Sequence, residues 1–265
     1  MLFDSNHYPK KHLYSMTWNS IMGFISTLAL FLPILLILVL RLGTYRSFPI
    51  LLFYFLTVFI YNLMKEGYIN ANADVVYFWG ICNNLLDAPL MLMFLSYFSP
   101  SAMFTRRLKI LILLYIVFEL SVILLVGFNV EAITYILGPG LLIVFALCLF
   151  FFIRQSKVVI TNKKAMGKTL IVASQAFAYG CYGILYVLFY IIKTPLIADA
   201  FLIYFIVVTL SSIFLCTGIT FERKRIQKLF ELKKARKELH NIYKDSKPTS
   251  PFRTPMLDFD REPWN

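Results

Sequence analysis

Seven apolar runs, each close to 20 residues long, constrain this chain more than any other feature. They occupy residues 18–41, 47–69, 75–98, 107–128, 131–153, 168–192 and 198–221. A helix of about 20 residues matches the hydrocarbon thickness of a bilayer. Backbone groups in lipid must find partners within the spanning structure, so each run predicts a transmembrane helix. The connections are short, and the longest, Gln155 to Gly167, is basic and polar. Composition agrees: 59% of residues are hydrophobic and 15% charged, against about a quarter charged in soluble domains. The 26 Phe and 16 Tyr suit lipid-facing positions and interfacial belts. The first run is too long for a signal-peptide core and lacks a small-residue cleavage site behind it, so a retained span is expected.

Charge sets the expected orientation. Of the 26 Lys and Arg, only Lys10, Lys11, Lys65 and Lys193 fall on one side of the spans. The acidic loop residues Glu66, Asp74, Glu131 and Asp199 fall on that same side. The side rich in Lys and Arg is expected in the cytoplasm, placing the N-terminus outside and the C-terminus inside. The net charge of +12 is thereby accounted for by topology, and no nucleic-acid partner is expected. Short loops and a short N-terminal tail fit a bacterial inner (plasma) membrane.

After Phe221 the chain changes character. Residues 222–245 are strongly helix-forming, with Ile226, Leu229, Leu232, Leu239 and Ile242 near one face and Lys and Arg around the rest. Three arrangements fit: a basic amphipathic helix on anionic inner-leaflet lipids, a continuation of the last span that pairs with a cytoplasmic protein, or a charged topological anchor. The surface helix or anchor is the expectation, because the heptad pattern lasts only about two repeats. Residues 246–265 hold four prolines and no periodicity and are expected to be disordered. The domains expected are thus an extracytoplasmic tail 1–17, a seven-helix bundle 18–221, a basic helix 222–245 and a tail 246–265.

Polar residues inside the spans mark the candidate site. A charged group at mid-bilayer is penalised by about 2.5–3.5 kcal/mol or more. Two carboxylates sit there, Asp87 in the third span and Glu119 in the fourth. Asn83 and Asn84 precede Asp87 by four and three residues, so all three share one helix face. Counting inward from the span ends puts Asn83 and Glu119 at nearly the same depth, with Asp87 one turn further in. Asn62, Tyr182 and Tyr204 fall in the same half of the membrane, and Gly138-Pro139-Gly140 interrupts the fifth span there. These seven side chains are the candidate ligand- or proton-binding residues of a site in the outer half of the bundle. The competing reading is that the amides serve only as interhelical hydrogen-bonding groups. A second group, Ser174, Gln175, Thr209, Ser211 and Ser212, reads as helix packing.

The layout of seven spans with the N-terminus outside resembles that of rhodopsins and receptor bundles, in topology and in no motif. The seventh span has no lysine for a retinal Schiff base, the third ends in FLSYFSPS in place of Asp-Arg-Tyr, and the seventh lacks Asn-Pro-x-x-Tyr. His7, His12 and His240 all lie outside the spans, and no nucleophile elbow occurs, so no enzyme, metal or cofactor is expected. The four cysteines fall inside apolar runs and read as small hydrophobes. The expectation is a receptor-like or sensory membrane protein that takes a small ligand or proton in the outer half and engages a partner through its C-terminal segment. A proton-coupled or small-solute transporter using Asp87 and Glu119 is the first alternative. A non-catalytic assembly subunit is the second.

Overall fold

The computed structural model describes residues 18–161, 165–192 and 197–244. The expected tails 1–17 and 246–265, the last residue of the expected basic helix at 245, Lys193 and the Lys163–Lys164 pair lie outside the described residues. Seven helices are long and apolar enough to cross a membrane, and the chain is a multi-pass integral membrane protein. They are α1 (Trp18–Val39), α2 (Phe48–Lys65), α3 (Ala73–Leu95), α4 (Ala102–Val126), α5 (Val130–Thr161), α6 (Met166–Tyr186) and α7 (Ile197–Lys244). A short 3-10 turn, Ser96–Phe98, extends α3, and a π-helical turn, Val187–Ile191, extends α6. No strand occurs among the described residues.

Local chemistry explains several ends. Pro49 sits in the first turn of α2, where its missing N–H is no loss. Ser101 caps α4, its hydroxyl accepting from the Phe104 N–H at 3.3 Å, so α4 begins five residues before the apolar run does. Asn129 caps α5 by accepting from the Ala132 N–H at 2.9 Å. Gly67 and Gly127, at φ +80° and +92°, supply the left-handed turns that end α2 and α4.

Two helices outrun their expected spans. α5 continues to Thr161, carrying Arg154 and Lys157 beyond the apolar stretch. α7 is a single helix of 48 residues, about 70 Å long, and the bilayer core accounts for less than half of it. The basic segment after Phe221 is therefore the far half of α7 itself, not a separate element laid across the membrane surface. Good helix formers, with a Lys234–Glu238 pair one turn apart at 3.9 Å, keep it helical once outside lipid.

Consecutive helices pack in a ring with one outlier. α1 touches α2 and α7, α2 touches α3, α3 touches α5, α5 touches α6, and α6 lies along α7 in the most extensive contact of the bundle. α4 packs outside this ring against α3 and α5 and is the least buried of the seven helices. Its buried stripe is Leu108, Ile112, Tyr115 and Glu119. The other faces of α4 show Leu113, Leu114, Leu120, Leu124 and Leu125 at the surface, which suits lipid contact.

The two ends of the ring are built differently. The end bearing the Arg41–Arg46 and Ser99–Ser101 connections is solid: Phe48, Phe94, Leu95, Phe98 and Phe151 are essentially inaccessible, with rings in edge-on contact at 5.7 Å (Phe94–Phe98) and 6.1 Å (Phe48–Phe94). Gly167 and Gly218 let α6 and α7 come together there, since an added Cβ would meet the Glu222 backbone at 2.5 Å or the Ile171 backbone at 2.8 Å. Close backbone approach through small residues is how membrane helices associate. The other end of the ring is hollow.

Candidate functional site

A cavity of about 410 Å³ fills the hollow half. Six helices line it, and α4 contributes nothing. From α2 come Tyr54, Tyr61, Asn62 and Lys65, spaced so that one helix face turns inward over about 16 Å. From α3 come Asn83, Asn84 and Asp87, which the i, i+3, i+4 spacing puts on one face. α6 and its π-helical extension bring Tyr179, Tyr182, Tyr186 and Tyr190, together with Gln175 at the floor. α7 adds Tyr204, Ser211 and Ser212. Leu30 of α1 and Leu137 and Leu141 of α5 complete the apolar wall.

Asp87 anchors the polar part. Its Oδ1 accepts a hydrogen bond from the Tyr179 hydroxyl at 2.9 Å. The Tyr54 phenol approaches the same carboxyl. Beside it the tyrosines form a chain of ring contacts, Tyr179 to Tyr182 at 6.0 Å and Tyr182 to Tyr204 at 5.8 Å between centroids. Asn84 and Asn62 each turn one amide hydrogen back to their own helix, onto Gly80 O at 2.7 Å and Val58 O at 2.9 Å. That leaves each amide further donor and acceptor capacity toward the hollow.

Six of the seven candidate residues, Asn62, Asn83, Asn84, Asp87, Tyr182 and Tyr204, border this one cavity. Glu119 does not. It sits on α4, outside the ring, buried between α4 and its neighbours with Oε1 lacking a hydrogen-bond partner. Counting depth from the span ends said nothing of which side of α3 it occupies.

The Gly-Pro-Gly motif also acts differently from a break. α5 runs through it without interruption. Gly138 receives the Tyr186 hydroxyl group and Gly140 receives Tyr115, and a side chain at either position would collide with them. The two phenols then hydrogen-bond to α5 carbonyls, Tyr186 to Thr134 O and Tyr115 to Ile136 O, both at 3.0 Å. Proline at 139 removes the donor that would serve the Tyr135 carbonyl, and the phenols add hydrogen bonds to the carbonyls on either side of it.

Two sets of lining residues escaped the sequence reading. Gln175, Ser211 and Ser212 read as packing yet form the floor of the cavity. Of the 16 tyrosines, five beyond Tyr182 and Tyr204 turn inward: Tyr54, Tyr61, Tyr179, Tyr186 and Tyr190. The usable signal was the 3, 4, 4 spacing of Tyr179, Tyr182, Tyr186 and Tyr190, which puts all four on one face of the sixth span. An aromatic belt residue would sit at the interface and not recur through the membrane interior.

At the solid end a second polar group surrounds a buried carboxylate. The Glu222 carboxylate is inaccessible, pairs with Arg225 at 2.6 Å and accepts a hydrogen bond from the Tyr97 hydroxyl. Lys168, also buried, holds its ammonium 4.9 Å from the Tyr97 ring centre, and the Arg46 guanidinium lies 5.9 Å from the same ring. This group ties α3, α6 and α7 together.

No family model, curated protein or solved structure matches the chain.

Proposed function

We propose that this is a receptor-like, sensory membrane protein that binds a small ligand in the hollow half of the ring and passes the event to a partner through the C-terminal half of α7. The observation that carries the reading is the cavity around Asp87. Its volume falls within the range of small-molecule sites, about 300–1,000 Å³, and its lining mixes apolar walls with a few convergent polar groups, as such sites do. A bundle whose polar residues served only to join helices would bring them into contact and leave no space between them.

Two helices lead away from the cavity. α3 carries Asp87 and, beyond its last turn, Tyr97; α7 carries Tyr204 and, further along, Glu222. Both helices thus connect the hollow to the buried ion pair and to the projecting part of α7. In the proposed orientation the basic end faces the cytoplasm, following the distribution of Lys and Arg. The transport alternative draws less support, because its second carboxylate, Glu119, does not line the cavity, although it lies within electrostatic reach of Asp87.

Purification in mild detergent followed by mass spectrometry of retained small molecules tests the reading. A specific small molecule is expected with the unaltered protein and lost from Ala178→Phe, which fills the cavity from α6. Retention of nothing by either protein, or of the same molecules by both, would remove the cavity from the mechanism.

A further inference from the structure

The chemistry of the lining points to the class of ligand, and we infer that the cavity takes a small organic cation, an amine carrying an apolar group, with Asp87 as its counter-charge and Tyr182 and Tyr204 as its aromatic wall. This rests on the ligand-binding reading above. Three observations converge on it. First, the polar partners of the Asp87 carboxyl are the phenols of Tyr179 and Tyr54. Both are neutral donors, and a carboxylate has about four lone-pair sites, so capacity remains for a donor that carries charge. Second, the rings beside it form one connected group, Tyr179, Tyr182 and Tyr204. Aromatic faces attract ammonium groups, and the attraction grows where water is excluded. Third, the other charged lining residue, Lys65, is distant. It is eleven residues along α2 from Tyr54, about 16 Å in helical rise, so the deep end of the cavity is acidic and aromatic while the cationic side chain lies at the opposite end. A cation entering from that end moves away from Lys65 and toward Asp87. An anion of the same shape meets a carboxylate and π-clouds before it reaches the floor and is disfavoured on both counts.

The test uses the full chain in lipid nanodiscs, with empty nanodiscs as the partition control, and isothermal titration of three probes of one shape. These are 2-phenylethylamine, 2-phenylethanol and phenylacetate, which are cationic, neutral and anionic at neutral pH. The amine is expected to bind roughly tenfold or more tighter than the alcohol, and phenylacetate weakest. Asp87→Asn should reduce the amine to the affinity of the alcohol. Tyr182→Leu should weaken the amine more than the alcohol, and it keeps the inference testable if the Asp87 variant does not fold. Ala178→Phe should abolish binding of all three. If the alcohol or phenylacetate equals the amine while Ala178→Phe still blocks binding, the cation assignment falls and the cavity site stands. If amine binding survives Ala178→Phe, both fall. Absence of binding by every probe up to millimolar concentration overturns the cation assignment, and the co-purification experiment then decides the cavity separately.

Discussion

The two halves of the ring solve the same problem in opposite ways. Both must bury polar side chains among apolar helices. The solid half buries Glu222 and Lys168 beside the Tyr97 ring, pairs Glu222 with a part-buried Arg225, and packs its interior with phenylalanine and leucine, leaving only a shallow surface hollow along the Arg46 and Ser99–Ser101 connections. The hollow half holds one carboxylate against phenols and leaves about 410 Å³ beside it. Charges that are mutually paired can be packed over. A carboxylate with only neutral partners, next to empty space, is arranged to meet something else. The contrast separates a structural ion pair from a candidate binding site, although both are clusters of polar residues carried in part by the same helices.

The sharpest way to break the contrast is to unpair the solid half. Glu222→Ala removes the carboxylate that Arg225 and Tyr97 share. Losing one partner of a buried pair typically destabilises by about 3–5 kcal/mol. A large fall in the thermal unfolding midpoint in nanodiscs is expected, and an unchanged midpoint would show that the pair is not structural. A smaller effect comes from two glycines. Gly218→Ala drives a methyl into the Ile171 backbone, whereas nothing lies within 4 Å of an added Cβ at Gly183 on α6. The first should destabilise by about 1–3 kcal/mol through overpacking. The second should be neutral or gain up to about 1 kcal/mol from helix propensity. Equal effects would mean that the two halves are packed alike. The smallest effect concerns Glu119. Glu119→Leu deletes a buried oxygen without a partner, so a rise of about 1 kcal/mol in stability is expected. Amine binding should be unchanged, because α4 does not line the cavity. Loss of binding in that variant would bring Glu119 back into the site.

Much of the candidate site was legible from spacing. Asn83, Asn84 and Asp87 had to share a face because helical geometry leaves no other arrangement, and their depth followed from counting residues. Glu119 shows where counting stops. Depth is a coordinate along the membrane normal, and membership of a cavity depends on position around the ring, which spacing within one helix does not contain. The tyrosines fail for a different reason. Tyrosine is suited to lipid interfaces, to packed cores and to binding walls, so composition assigns it no direction. The Gly-Pro-Gly motif is read wrongly in isolation because its meaning lies in the two phenols that occupy it from α4 and α6.

By itself the sequence determined that this chain crosses the membrane as seven helices and that its last helix is strongly basic beyond the bilayer. Those properties follow from apolar length and from the need to pair every backbone group in lipid, both of which act within a single segment. Only the tertiary structure decided that α4 stands outside the ring, that Asp87 faces a hollow while Glu119 faces a wall, and that the basic segment extends α7 as one helix. These depend on which helices become neighbours, and in lipid that choice rests on close backbone approach at glycines and on interhelical hydrogen bonds between residues far apart in the chain.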